Sequence, residues 1–225
     1  MTKYFAVPAL LMFSILFTSC DELVAIALDD DTVCGEDVYT GYQPVSNHAL
    51  EIVPLTDSTQ FTFVNAAGEE MKLTLRKKTD QKGRLDYKTL CYNASYNISQ
   101  SEYCESQMLE YIFENTDHKA EIRYNWYVNN SGEMLYDAFS TSIKLDNYLG
   151  GSNNWVADDR ANELPVIYGV GEWARPVGDT VMLGQSFQNV TYYNWGVNKG
   201  KGYFFVEGKG VVAMWAENKA FWVLK

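Results

Sequence analysis

The stretch that decides the fold runs from Gly202 to Leu224 and reads GYFFVEGKGVVAMWAENKAFWVL. It contains three apolar runs, at 203–206, 211–215 and 221–224, separated by short polar segments that hold glycine or asparagine. Strands that are apolar on both faces are covered on both sides in folded proteins. The stretch therefore predicts a meander of hairpin-linked strands at the core of an antiparallel sandwich or a curved barrel-like sheet.

The chain before this meander places apolar residues at every second position. Met71, Leu73 and Leu75 alternate with polar residues, and the same pattern covers 121–128. A period of two is typical of strands with one face in the core and one in water. Turn signals at 66–68, 79–83 and 129–132 separate these runs, so we expect an all-β fold built from hairpins. The expected strands are 50–54, 59–65, 69–78, 84–92, 107–114, 119–129, 133–143, 164–170, 180–184, 188–195, 202–207, 210–216 and 220–225.

The residues around the meander follow a recurrent order. Residues 187–190 (FQNV) precede it, and 210–212 (GVV) and 222–224 (WVL) form its later strands. This order resembles the C-terminal tail of many Bacteroidetes lipoproteins of unassigned function. The resemblance supports the β fold and implies nothing about chemistry.

The N-terminus has the layout of a secretory signal. Residues 1–19, MTKYFAVPALLMFSILFTS, carry one charge, Lys3, followed by an apolar run. A basic start, a short apolar run and small residues before a cleavage point define a signal peptide. A retained membrane-spanning helix is the weaker interpretation, because the run contains Pro8 and a span needs about 20 apolar residues.

This segment ends in a cysteine, within the sequence LFTSC at 16–20. The five residues resemble the lipobox of bacterial lipoproteins, and the resemblance implies a lipid on Cys20 with acyl chains such as palmitate. The alternative is an ordinary signal peptide that happens to end in cysteine. We expect a lipoprotein signal peptide (1–19), an acidic tether (20–36) and a single β-rich domain (37–225).

The tether is strongly acidic, with Asp21, Glu22 and three aspartates at 29–31. It resembles the export signal that sends Bacteroidetes lipoproteins to the outer face of the outer membrane. In enterobacteria, an Asp directly after the lipidated Cys implies retention in the inner membrane, and a plain solvated tether is a third interpretation. We expect a protein of the cell envelope, in the outer membrane and exposed at the surface, held by the lipid on Cys20.

The net charge and the cysteine content limit which partners, disulfides and metal sites we expect. The formal charge of −11 argues against a nucleic-acid partner. After Cys20, three cysteines remain, and an oxidising compartment favours one disulfide between Cys91 and Cys104, the two closest in sequence. Cys34 then stays outside it. With two histidines and no Cys-x-x-Cys pair, we expect no metal site and no cofactor.

The sequence carries no recognisable catalytic motif. Serine-hydrolase elbows, zinc-protease helices, phosphate loops and calcium loops are absent from it. We therefore expect no catalytic residue and lean against an enzyme. Glycosidases need only two carboxylates at a suitable distance. A carboxylate-dependent hydrolase of an envelope or extracellular polysaccharide is thus the alternative, with candidates Glu102, Glu105, Asp158, Asp159 and Glu172.

Aromatic residues make up 15% of the chain, and exposed Trp and Tyr rings stack well on sugar rings. Trp126, Trp215 and Trp222 lie in strand patterns, so we expect them in the core. The polar stretch 146–162 is long enough to be a functional connection. We expect it to form a recognition loop, although Trp155 plugging the edge of the core is an alternative. The candidate ligand contacts are Tyr148, Trp155, Asp158 and Asp159.

These observations lead to one functional hypothesis. The chain is expected to be a lipid-anchored protein with a non-catalytic binding or structural role. Its expected partner is a glycan, a peptide or another envelope protein.

Overall fold

The computed structural model describes residues 34–94, 98–131, 134–146, 148–149, 153–159, 174–194, 201–216 and 219–225. The predicted signal peptide, Cys20, most of the acidic tether and the predicted strand 164–170 lie outside these residues. Within them the chain forms one helix, α1 (Asn47–Glu51), and thirteen strands. No helix in the described ranges is long and apolar enough to cross a membrane.

The strands, in chain order, are β1 (Val38–Gln43), β2 (Gln60–Val64), β3 (Glu70–Asn93), β4 (Ile98–Asn115), β5 (Ala120–Ser131), β6 (Met134–Leu145), β7 (Tyr148–Leu149), β8 (Asn153–Asp159), β9 (Ala174–Met182), β10 (Gln185–Asn194), β11 (Gly202–Val206), β12 (Gly210–Trp215) and β13 (Trp222–Leu224). They follow the order β7-β6-β5-β4-β3-β2-β13-β12-β11-β10-β9, with β1 beside β4 and β8 beside β6. Neighbouring strands are antiparallel. The predicted all-β antiparallel fold is confirmed.

The chain divides into two compact units. The first contains residues 34–38 and the described residues of 89–101. In it, Cys34 is joined to Cys91 by a disulfide, and their Cα atoms lie 5.6 Å apart. The backbone N–H of Ser101 donates to the Asp37 carboxylate at 2.8 Å. These two bonds tie the N-terminal residues of the unit to its other segment.

The predicted disulfide between Cys91 and Cys104 is therefore wrong. The connection between β3 and β4 covers 94–97, so Cys91 lies two residues before the end of β3 (93 − 91) and Cys104 six residues after the start of β4 (104 − 98). Cysteines at such different heights do not face each other across a hairpin. Cys104 belongs to the second unit and is buried there, outside the disulfide.

The second unit contains the main core, in which β2 to β6 contribute one set of apolar side chains and β10 to β13 another. Trp126 is 1% exposed, and its indole N–H donates to the backbone oxygen of Ala49 in α1 at 2.8 Å. The buried Phe139 contacts Trp126 and Phe205, with ring centroids 5.0 and 5.9 Å apart. These contacts join β5, β6, β11 and α1.

A second cluster lies against the meander and includes Val206, Val212, Ala213 and Val223, each at most 7% exposed. Residues that alternate along a strand point to opposite faces of the sheet. Because β11 and β12 contribute to both clusters, each face of the meander carries buried apolar side chains, as predicted.

Two local predictions are wrong, and the first concerns residues 50–54, where α1 replaces a strand. The side chain of Ser46 accepts a hydrogen bond from the backbone N–H of Ala49 at 3.2 Å and so caps the helix. The buried carboxylate of Asp137 accepts one from the N–H of Ser46 at 3.1 Å. Tertiary contacts thus fix a helix too short to be stable alone.

The second concerns the turn expected at 79–83, which lies inside the single long strand β3. The basic residues of β3 form ion pairs with acidic residues of β4. Arg76 lies 2.7 Å from Glu114, and Lys77 lies 3.1 Å from Glu110. Cross-strand pairs of opposite charge support a strand whose two faces are exposed, and such a strand lacks the alternating pattern.

Candidate functional site

The second unit contains a groove of about 860 Å³ between the end of α1 and strands β10 and β11. Pockets of roughly 300 to 1,000 Å³ are the usual size for small-molecule sites. Most of the lining is polar and exposed. The groove is lined by Glu51, Ser186, Gln188, Asn189, Thr191, Phe205, Val206, Glu207, Gly208 and Lys209.

One wall of the groove is built by a bulge in β10. The register between β10 and β9 shifts between Phe187 and Val190. Two residues, Gln188 and Asn189, therefore stand opposite one, Asp179. Asn189 has a φ of 53°, and its backbone N–H donates to the Asp179 carboxylate at 3.1 Å. Bulges redirect side chains, and this one brings both amide side chains to the groove.

A second wall is the turn that links β11 to β12. Val206 pairs with Gly210, which closes a turn over 207–209. The backbone N–H of Gly208 donates to the backbone oxygen of Ile52, just after α1, at 2.9 Å. Gly208 has a φ of 78°, a conformation that glycine adopts without strain. The hydrogen bond holds the turn against the helix end and fixes the width of the groove there.

Three charged side chains of the described residues line the groove. Glu51 and Glu207 supply carboxylates, and Lys209 supplies an ammonium group. The Lys209 nitrogen lies 5.5 Å from the centre of the Phe187 ring. His48 lies 3.9 Å from Glu51, and both side chains are more than half exposed. Together with two amides and two hydroxyl groups, these residues donate and accept hydrogen bonds from several directions.

A smaller depression of about 380 Å³ shares Gly208 and Lys209 with the groove. Its lining combines apolar side chains, such as those of Val53, Leu55 and Phe61, with polar ones from β2 and the segment before it. The turn at 207–209 therefore contributes to two concave surfaces of the second unit.

The predicted recognition residues lie on two strands that pair with β6. Tyr148 belongs to β7, whereas Trp155, Asp158 and Asp159 belong to β8. Strand β8 pairs with β6, and the backbone of Trp155 stands opposite Phe139. The prediction of a long unstructured connection is wrong here, because β6 offers an edge that β8 completes. The side chains of these four residues lie outside the described part, so their role in binding stays a prediction.

The structure places the described members of the carboxylate set that the sequence suggested for hydrolysis on β4 and β8. Glu105 lies 3.7 Å from Lys82 on the β3–β4 hairpin, whereas Asp158 and Asp159 belong to β8. Glu102 is on β4, and Glu172 lies outside the described residues. The two carboxylates that do line one groove, Glu51 and Glu207, were not among the candidates.

The tryptophan predictions are confirmed in two cases of three. Trp126 and Trp222 are 1% and 5% exposed and belong to the main core. Trp215 is partly exposed and belongs to neither apolar cluster.

Among the described residues, no group of three or more His, Cys, Asp or Glu is placed to hold a metal ion.

The groove residues had little signal in the sequence. Gln188 and Asn189 form the middle of the FQNV stretch, which predicts a regular strand rather than a bulge. Glu207 and Lys209 belong to a correctly predicted turn, but its contact with α1 depends on a helix that the sequence did not predict. Only the unusual Gln-Asn pair inside an apolar strand indicates a departure from regular pairing.

The fold and the groove define the chain as an antiparallel all-β protein with a polar concave site. Comparisons with protein-family models, curated proteins and solved structures found no match. The functional argument therefore depends on the residues of the chain itself.

Proposed function

We propose that this chain is a lipoprotein of the cell envelope, anchored through Cys20, whose β domain binds a hydroxyl-rich ligand, a glycan, in the groove. The observation that carries the proposal is the set of polar side chains that line the 860 Å³ groove beside Phe205 and Val206. Sugars present many hydroxyl groups, and these require donors and acceptors spread over a concave surface. Amides, hydroxyls, carboxylates and an ammonium group provide that surface.

The disulfide between Cys34 and Cys91 supports the extracytoplasmic part of the proposal. Disulfides persist in oxidising compartments and are rare in the bacterial cytoplasm. The position of the Cys34–Cys91 disulfide is also compatible with a domain tethered through Cys20. Cys34 lies fourteen residues after Cys20 (34 − 20), so the tether can extend to about 48 Å at roughly 3.4 Å per residue.

The groove is tested with a soluble form of the protein beginning at Thr32, applied to a glycan array. We expect binding to at least one glycan, and about fivefold weaker binding after Gln188→Ala, since one hydrogen bond contributes about 1 kcal/mol. Gln185→Ala is the matched control, because Gln185 is also exposed on β10 but does not line the groove. Equal loss in both variants, or no glycan bound, would contradict the proposal.

A hydrolase is the second candidate, and one observation favours it: Glu51 and Glu207 line the same groove. Two carboxylates flanking a sugar linkage suffice for glycoside hydrolysis. Incubation with the bound glycan, followed by assay of new reducing ends, separates the two functions. A binding protein leaves the glycan intact. Release of reducing ends that Glu207→Gln abolishes would replace the binding function with hydrolysis.

The anchor is tested by replacing Cys20. We expect Cys20→Ala to move the protein from the membrane fraction to the soluble envelope fraction, because the thiol that accepts the lipid is gone. Cys104→Ala is the matched control, since that thiol is buried in the second unit. Continued membrane association of Cys20→Ala would overturn the lipoprotein assignment.

A further inference from the structure

The outer face of the meander carries four aromatic side chains that contact one another. Tyr192 of β10, Phe204 of β11, Trp215 of β12 and Phe221 before β13 are all partly exposed, and we call them the aromatic face. The ring centroid of Trp215 lies 5.7, 5.2 and 5.5 Å from those of Tyr192, Phe204 and Phe221. Trp215 is therefore the centre of the group.

The aromatic face is distinct from the main core. Tyr203 and Phe205, the neighbours of Phe204 in β11, are 0% and 1% exposed and belong to the main core. Neighbouring residues of a strand point to opposite faces. Phe204 instead packs against the second apolar cluster. The aromatic rings thus lie on the side of the sheet that faces away from the main core.

Trp215 packs against a glycine of the neighbouring strand. Gly202 of β11 stands directly opposite Trp215. A Cβ atom at Gly202 would lie 2.7 Å from Cζ2 of Trp215, which is closer than van der Waals contact allows. The absence of a side chain at Gly202 therefore leaves room for the indole ring; a Cβ there would also lie 2.6 Å from the backbone oxygen of Tyr193.

Tyr192 and Trp215 are stacked, with nearly parallel rings. The planes of Tyr192 and Trp215 are inclined by only 8°. Aromatic rings bind the apolar face of a sugar ring through dispersion and burial, while Tyr and Trp keep a polar group for hydroxyls. The guanidinium carbon of the exposed Arg175 lies 6.0 Å from the centre of Tyr192 and adds hydrogen-bond donors at the border.

The size of the face favours a polysaccharide over a protein partner. An aromatic side chain has roughly 250 Å² of surface, so a third of it in each of four residues gives about 330 Å². A stable protein interface takes about 800 Å² from each partner. A short run of sugar units stacked through their apolar faces needs much less surface, because the hydroxyls at the edges of the sugar rings stay in water.

We propose that the aromatic face is a second binding surface, which stacks a polysaccharide chain on Trp215 and Tyr192. This proposal goes beyond the groove and does not depend on it, because no residue of the aromatic face lines the groove.

The test is native gel electrophoresis of the soluble protein in gels that contain xylan, α-mannan, a soluble β-glucan or pectin. We expect retardation by at least one polysaccharide, and an at least tenfold weaker affinity for Trp215→Ala. Tyr92→Ala is the matched control, because Tyr92 is 63% exposed on β3 and far along the chain from the meander. It should migrate like the unmodified protein in every gel.

A second variant distinguishes a loss of binding from a folding defect. Tyr192→Ala leaves Gly202 and Trp215 in place and should still weaken retardation, with an unchanged midpoint of thermal unfolding. Gln188→Ala, in the groove, should leave retardation unchanged. Retardation by none of the four polysaccharides, or retardation lost in Gln188→Ala but kept in Trp215→Ala and Tyr192→Ala, overturns the proposal.

Discussion

Replacing Trp126 with alanine should lower the free energy of unfolding by about 3 to 5 kcal/mol. The indole is 1% exposed and contacts the rings of Tyr111 and Phe139 at centroid distances of 5.8 and 5.0 Å. The substitution leaves a large cavity where β5 and β6 meet α1. Because whole domains are stable by only about 5 to 15 kcal/mol, urea unfolding should show a much lower midpoint.

Trp126→Phe separates packing from hydrogen bonding. Phenylalanine keeps most of the ring contacts but cannot donate to the backbone oxygen of Ala49, which Trp126 reaches at 2.8 Å. We expect a loss of about 1 to 3 kcal/mol, from one lost hydrogen bond and the space that the smaller ring leaves, while the backbone N–H of Ile52 still donates to the Ala49 oxygen at 3.3 Å. A Trp126→Ala protein as stable as the unmodified protein would show that α1 does not pack on β5 as described.

Replacing Gly210 with alanine should lower the free energy of unfolding by roughly 2 to 5 kcal/mol. Gly210 has a φ of 83°, which an L-residue adopts only with strain. A Cβ atom there would lie 2.6 Å from the hydroxyl oxygen of Tyr124. That hydroxyl accepts a hydrogen bond from the N–H of Val211 at 3.0 Å, and burial raises the pKa of Tyr124, so the group stays neutral.

Gly68→Ala is the control for the backbone part of this loss. Gly68 has a φ of 81°, but nothing lies within 4 Å of the position its Cβ would occupy. Its substitution should cost only about 1 to 2 kcal/mol. In the background of Tyr124→Phe, which removes the hydroxyl, Gly210→Ala should cost less than in the unmodified protein, although Cγ1 of Val53 and the ring carbon Cζ still lie 3.1 and 3.2 Å from the new Cβ. Equal losses in Gly210→Ala and Gly68→Ala would contradict the close contact with Tyr124.

The fold class could be predicted because the core strands follow simple rules. The alternation in β5 and the apolar runs of β11 to β13 indicate which strand faces are buried. Burial of those faces requires the strands to pack as a sheet around a core. The wrong secondary-structure predictions concern α1 and β3. There, contacts between residues far apart in the sequence determine the local structure. The carboxylate of Asp137 holds the start of α1 across 91 residues, and ion pairs to β4 keep β3 extended.

The candidate site could not be predicted because no local pattern describes it. The groove requires the bulge at Gln188 and Asn189, the turn at Glu207 and the helix end at Glu51 to meet, and these are far apart in sequence. The predicted pairing of the disulfide was wrong for a related reason. The nearest cysteine in sequence, Cys104, is at another height of the hairpin, whereas Cys34 reaches Cys91 through tertiary structure.

The central claim, that the groove holds the ligand, is tested most directly by hydrogen–deuterium exchange of the soluble protein. The exchange of backbone amides is compared with and without a mixture of xylan, mannan and β-glucan oligosaccharides. A ligand in the groove shields the amides that line it. We predict slower exchange at 186–191 and 206–209 with little change at 120–131. Unchanged exchange in both groove segments, with or without protection elsewhere, would contradict the account.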